Sequence, residues 1–202
     1  MTEVRAASLA DRELLTRIAA TGFYGDPVFS WVFADETRRM DQLMVLFTGM
    51  VDDMLPDRGT VDLAGAACAA FWRDPTFEHG RTAADRVDDA LDEAAEDEPS
   101  PFSADELERL GILGEVMMVN HPHEPHWYLN VVSTLPEHQG RGLGAAALDP
   151  VLARCDAEGS KAYLESTNPR NRTLYRRKGF VDAGELQIPD GPTMLQMWRD
   201  PR

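Results

Sequence analysis

The order of elements in the C-terminal half most constrains what this chain can become. Residues 126–134 are rich in aromatic and β-branched side chains and read as a strand. Residues 140–158 read as a helix, 161–166 as a strand, 169–178 as a helix, and 180–185 and 194–198 as strands. Strands alternating with helices predict an α/β, or α+β layered, domain.

The N-terminal half is less regular. Residues 4–7 read as a short strand, and residues 11–21 as a helix with Leu14, Leu15 and Ile18 on its apolar face and Ser8 as its cap. Asp26-Pro27 breaks that pattern. A second helical region carries Leu43, Leu46, Phe47, Met50 and Met54 at helical spacing. Two strands follow, about 60–64 and 66–72, with a turn near Ala64-Gly65. The run Ala66-Ala67-Cys68-Ala69-Ala70 is weak strand chemistry, so its assignment rests on its neighbours. Residues 74–101 form an acidic insertion, with eight Asp or Glu between Asp85 and Glu98; a solvated segment or a lid over a substrate site both fit. Ser103-Ala104-Asp105-Glu106 reads as a capping box that opens a helix through about Met118.

The stretch that carries chemistry is Gln139-Gly140-Arg141-Gly142-Leu143-Gly144, between a predicted strand and a predicted helix. Glycines there permit a tight turn and close approach of a ligand to the backbone. The first amides of a helix lack intrahelical acceptors and the helix dipole favours an anion, so the segment suits a pyrophosphate. Arg141 adds a fixed positive charge. The run is not GxGxxG and no GK[ST] follows it, which argues against a dinucleotide fingerprint or a P-loop. Small residues Gly142, Gly144, Ala145 and Ala146 allow close packing at this end, whereas Pro150 interrupts the helix that follows.

A second cluster runs from Glu165 to Phe180. Asn168 suits an N-cap and Pro169 a first helical position. Asn171 and Tyr175, four residues apart, share a helix face.

Together these strings resemble the GNAT acetyltransferase superfamily. The glycine segment is similar to its acyl-CoA motif [QR]xxGx[GA]; Asn168, Asn171, Leu174-Tyr175 and Lys178-Gly179-Phe180 are similar to its next motif. The resemblance covers about residues 126–199. The strings Glu137-His138-Gln139-Gly140, Tyr163-Leu164-Glu165-Ser166, Pro169-Arg170-Asn171 and Pro189-Asp190-Gly191-Pro192 also resemble puromycin N-acetyltransferase-like enzymes.

The resemblance implies one domain over residues 1–202, with a mixed, mostly antiparallel sheet of six to seven strands flanked by helices. Two central parallel strands, 126–134 and 161–166, splay apart to admit acetyl-CoA. It implies pantetheine contacts from Val132, Ser133 and Thr134. It places the pyrophosphate on Gln139, Gly140, Arg141, Gly142, Leu143, Gly144 and Ala145, with further contacts from Asn168 and Asn171. Tyr175 matches the family's general acid. The activity implied is N-acetylation of a small-molecule primary amine by direct attack, with peptide or protein acetylation and non-catalytic acyl-CoA sensing as alternatives.

An ammonium with a pKa near 10.4 must lose a proton before it can attack, and the thiolate that leaves gains from an acid. Glu165 is a candidate base, or a salt-bridge partner; Glu124, His126 and Asn130 are rivals, and a site that collects neutral amine needs no base. Trp31, Phe33, Trp72, Trp127 and Tyr128 read either as core or as an aromatic acceptor pocket. The histidine loop His121-Pro122-His123-Glu124-Pro125-His126 lacks HExxH or finger spacing, so no metal is expected.

Composition narrows the partners. A formal charge of −15 without a basic stripe argues against nucleic acid. The acidity would attract a cationic amine, or serve only solubility. No apolar run approaches the roughly 20 residues of a membrane helix, and no signal-peptide core follows Met1. Cys68 and Cys155 form no CxxC, which suits a cytoplasmic protein, monomeric or homodimeric.

Overall fold

Small and β-branched residues decide how closely the layers of this chain approach. The computed structural model describes residues 2–55, 59–76 and 100–202. The N-terminal elements are β1 (Val4–Ala6), a 3₁₀ turn (Leu9–Asp11), α1 (Arg12–Phe23), α2 (Pro27–Val32), α3 (Glu36–Met54), β2 (Thr60–Ala64) and β3 (Cys68–Arg73). The C-terminal elements are α4 (Ala104–Asn120), β4 (Trp127–Thr134), α5 (Leu143–Glu158), β5 (Ala162–Ser166), α6 (Arg172–Arg177), β6 (Val181–Gln187) and β7 (Thr193–Arg199). Two further 3₁₀ turns, Pro136–His138 and Pro169–Asn171, precede α5 and α6.

The seven strands form one sheet in the order β1-β2-β3-β4-β5-β7-β6. Every neighbouring pair is antiparallel except β4 and β5, which are parallel. The mixed, mostly antiparallel architecture expected from the sequence is therefore present.

Two apolar clusters cover the two faces. On one, Leu15, Ile18, Val28, Phe47 and Val51 from the N-terminal helices meet Leu63, Phe71 and Val131 of the sheet. On the other, Ala147, Leu148, Val151 and Cys155 of α5 meet Cys68, Ala70, Trp72, Trp127 and Leu129. The alanine-rich β3 has weak strand propensity, yet all six of its residues are buried. Its short side chains let helices from both faces approach, and tertiary burial overrides local preference. Ser103 and Glu106 form the expected capping box at α4, with both reciprocal bonds present.

Several boundaries differ from the sequence reading. Ser8 precedes the 3₁₀ turn rather than α1, and its amide donates to the Asp11 carboxylate at 2.9 Å. Arg5 clasps the same carboxylate at 2.6 and 2.8 Å and holds its pKa far below the usual range. Asp26-Pro27 does more than interrupt a pattern. Asp26 caps α2, a helix the periodicity did not suggest because it is only six residues long, and Pro27 takes its first position. The 3₁₀ turn at 169–171 precedes a shorter α6 than expected. Most of the acidic insertion, residues 77–99, lies outside the described residues.

Asp62, on the α5 face of β2, is 6% exposed, and its Oδ2 has no hydrogen-bond partner among the described residues. Burial raises its pKa to about 6. A carboxyl raised on folding destabilises the fold as pH climbs through the unfolded value, and the penalty is complete above about 6. Asp62→Asn is expected to raise the melting temperature by a few degrees at pH 8 and to change it little near pH 3. Thermal unfolding at the two pH values checks this.

Candidate active site

The site begins where two strands part. β4 and β5 pair only at Trp127↔Ala162 and Tyr128↔Tyr163. Just beyond, β4 carries a bulge: Phe71 faces Val131 and Trp72 faces Leu129, so Asn130 has no opposite residue on β3. The extra residue reverses the alternation of faces, since Leu129 joins the α5 cluster and Val131 the α1 cluster. Val132, Ser133 and Thr134 still pair with Ala70, Ala69 and Cys68, but beyond Tyr128 their other edge has no strand partner among the described residues.

Side chains lock this edge in place. Ser133 Oγ donates to Ile18 O of α1 at 2.7 Å. A Cβ added at Gly22 would lie 2.0 Å from Ser133 Oγ, so the absence of a side chain there sets the α1–β4 spacing. On the opposite face, a Cβ at Gly144 would lie 3.2 Å from Leu174 Cδ2 and 3.8 Å from Thr134 Oγ1. The start of α5 therefore sits tightly between β4 and α6.

The glycine segment forms the loop that feeds α5. Gly140 and Gly142 have φ of 74° and 82°. That left-handed backbone ends any helix, which is why α5 starts at Leu143 rather than at Gly140. Gln139 Nε2 donates to Thr134 O at 3.1 Å and ties the loop to the end of β4. Ala146 N→Gly142 O is the first intrahelical bond of α5. Among the described residues, the amides of Leu143, Gly144 and Ala145, the first turn of α5, have no intrahelical acceptor. Gly140, Arg141 and Gly142 are exposed, and the Arg141 side chain stands on the same loop.

Across the opening lies the segment after β5. Asn168 caps the 3₁₀ turn through a 3.1 Å bond from Arg170 N, and Pro169 follows it as expected. Asn171 caps α6 by position without a side-chain bond. Tyr175 is 6% exposed and packs edge-on against Phe180 at 6.1 Å. Burial pushes its phenol well above the ordinary value, nearby Asp26 adds to the rise, and Asn171 opposes it. A phenol so placed stays protonated at neutral pH and keeps a proton to give.

Glu165 and Tyr175 do not form one pair. The Glu165 side chain is buried beside His121, whose Nδ1 lies 3.7 Å from Oε1. Tyr128 and Tyr163 lie near it, and burial first, then its charge, raises both phenols. Gln196 donates to the Tyr163 hydroxyl at 2.8 Å. His126 sits in the same aromatic nest, its Nδ1 proton given to Glu124 O at 2.7 Å. Burial lowers its pKa, so it is neutral at pH 7. Glu124 is exposed and pairs with Lys161. No group of three or more His, Cys, Asp or Glu is arranged to hold a metal among the described residues. Phe33, Trp72 and Trp127 are fully buried in the two cores, and the Trp31 indole donates to Asp190 O at 2.9 Å.

The residue that sequence reasoning missed is Asp26. Its Oδ1 accepts from Val28 N at 2.9 Å and Phe29 N at 3.4 Å, while its Oδ2 accepts from Thr167 Oγ1 at 2.6 Å. It joins the N-terminal helices to the segment after β5, and its charge adds to the rise that burial imposes on the Tyr175 phenol. Its only sequence signal was a cap-like Asp before a Pro.

The pattern of the acetyltransferase (GNAT) family matches residues 65–180, more than half of the chain. The chain belongs to that family. An uncharacterized N-acetyltransferase of Schizosaccharomyces pombe is 40% identical over 55 residues, which span 27% of this chain and 22% of that relative. A crystal structure of histone acetyltransferase HPA2 and related acetyltransferase from Corynebacterium glutamicum superposes with a TM-score of 0.68 at 26% identity, over 100% of this chain and 98% of the other. A mosquito arylalkylamine N-acetyltransferase like 5b shares the fold at a TM-score of 0.63 and 12% identity, over 99% and 100% of the two chains. As a GNAT acetyltransferase the chain is an enzyme, and members of this family use acetyl-CoA.

Gly22→Ala tests how this GNAT chain holds its β4 edge. The added methyl collides with Ser133, so the melting temperature is expected to drop by several degrees. Thermal unfolding of the variant beside wild type provides the check.

Proposed function

We propose that this acetyltransferase transfers the acetyl group of acetyl-CoA to the primary amine of a small molecule, by direct attack within a ternary complex. The supporting observation is the parting of β4 from β5 beside a helix mouth whose first amides have no intrahelical acceptor. The residues that would hold acetyl-CoA are Val132, Ser133 and Thr134 along the free strand edge, the segment from Gln139 to Ala145 at the pyrophosphate, and Asn168 and Asn171 opposite. When bound, acetyl-CoA supplies an activated thioester carbonyl. Tyr175 would donate to the sulfur as the carbon–sulfur bond breaks, since its raised pKa keeps it protonated.

A small amine is favoured by the crowding of the acceptor side. Phe23 packs on Phe29 at 5.5 Å, and Phe29 on Phe47 at 5.6 Å. Arg39 is buried beneath Tyr24 and binds the Phe33 and Ala34 carbonyls at 2.7 and 3.3 Å. Arg109 bonds Trp31 O at 2.8 Å and so joins α4 to α2. These contacts draw the N-terminal helices together over the sheet. The resemblance of several strings to puromycin N-acetyltransferase-like enzymes would point the same way, and the charge of −15 suits a cationic substrate. We read residues 1–202 as one domain, and the cytoplasm as its home on the strength of two buried free thiols. Burial holds both of their pKa values near 11, which leaves them unreactive.

Acetyl-CoA at saturating concentration is expected to raise the melting temperature by ligand linkage. Tyr175→Phe is expected to lower kcat by about 10²-fold or more while leaving that thermal shift intact. Free-thiol release measured with a panel of aminonucleosides, aminoglycosides, polyamines and peptides identifies the acceptor. Preference for peptides would replace the small-amine reading.

A further inference from the structure

The structure assigns the acceptor's proton to Asp26, the buried carboxylate between α2 and the segment after β5, rather than to Glu165. This inference rests on the acetyltransferase reading above and names a residue that reading leaves open.

Placement separates the two carboxylates. Glu165 is enclosed by His121, Tyr128 and Tyr163. Asp26 is 3% exposed and lies on the acceptor-side face, where its helix contributes Val28 and Val32 to the core. Tyr175 packs its ring in the cluster on the opposite face. Even so, Asp26 is the carboxylate whose charge reaches the Tyr175 phenol. Asp26 Oδ2 accepts from Thr167 Oγ1 at 2.6 Å, directly after β5 and beyond the residues where β5 pairs with β4, which is the side of the opening where an amine would meet the thioester.

The surroundings of Asp26 suit a proton acceptor. Four influences act on its ionisation: burial, the Thr167 hydroxyl and the Val28 and Phe29 amides; none is a cation. Burial dominates and lifts the pKa, which makes the carboxylate a stronger base than an exposed one. Three hydrogen bonds hold the group in a fixed orientation. Burial first, and then the Asp26 charge, raises the pKa of the Tyr175 phenol of α6.

The step balances as follows. A bound ammonium gives one proton to the Asp26 carboxylate and becomes a neutral amine. The amine lone pair forms the carbon–nitrogen bond, and the carbon–sulfur bond breaks with its electron pair leaving on sulfur. Tyr175 protonates the sulfur and recovers a proton from the acetylated nitrogen, either directly or through Asp26. The remaining proton leaves Asp26 for solvent. Two protons depart from nitrogen: one ends on the thiol and one in solution.

Two variants test this with a single amine from the panel and acetyl-CoA. Asp26→Asn retains an acceptor for the α2 cap but cannot take a proton. It is expected to lower kcat/KM by about 10²–10⁴-fold while retaining the acetyl-CoA thermal shift. Thr167→Val removes the hydroxyl that lowers the Asp26 pKa, so the acid limb of the kcat/KM profile is expected to move to higher pH. A merely structural contact would not move that limb. Near-normal activity in a folded Asp26→Asn protein, or an unmoved limb in Thr167→Val, overturns the assignment. If Asp26→Asn does not fold, the Thr167→Val profile decides. Absence of thiol release by wild type with every amine would instead overturn the acetyltransferase reading, and this assignment with it.

Discussion

One constraint organises the molecule: two parallel strands that start as neighbours cannot remain so. Trp127 and Tyr128 pair with Ala162 and Tyr163, and then the bulge at Asn130 turns β4 aside. A strand edge exposed in this way would ordinarily be a hazard, because its N–H and C=O groups seek partners. Here the edge lies beside the mouth of α5, whose first amides also lack intrahelical acceptors. A single extended ligand with amide groups and phosphates could satisfy both. The family's use of acetyl-CoA fits that demand.

The rest of the fold fixes the width of this opening. Gly22 lets α1 approach close enough for Ser133 to reach the Ile18 carbonyl, and Gly144 does the same for α5 against Leu174. Alanines in β3 and α5 keep the layer beneath thin. From the acceptor side, the Asp26–Thr167 bond joins residues 141 positions apart in sequence. That contact ties the N-terminal helices to the segment carrying Asn168, Asn171 and Tyr175. The N-terminal helices and the segment after β5 are thus joined by a buried polar contact as well as by apolar packing.

Much of this was legible in the residues. Alternating strand and helix patterns from residue 126 onward gave the order of layers, and Gln139 to Gly144 marked the glycine turn into α5. The spacing of Asn171 and Tyr175 suggested one shared face; in the fold Asn171 ends a 3₁₀ turn and Tyr175 lies in α6. Other features depend on the third dimension. A bulge at Asn130 has no signature without the opposing register of Phe71 and Trp72. α2 is too short for its periodicity to be seen, and Asp26 acquires its surroundings only when Thr167 arrives from far along the chain. Glu165 looked well placed at the end of β5, but the side chains that enclose it come from β4, β5 and the loop after α4. Gly140 looked like a helix start because glycine patterns do not reveal the sign of φ.

The central claim is that the free edge of β4 and the mouth of α5 together receive acetyl-CoA. Backbone amide chemical-shift mapping during titration with acetyl-CoA tests it most directly. The account predicts the largest shifts at Val132–Thr134 and at residues 140–145, with smaller ones at Asn168 and Asn171. Shifts concentrated on β6, or on the outer face of α3, with residues 140–145 unmoved, would contradict it.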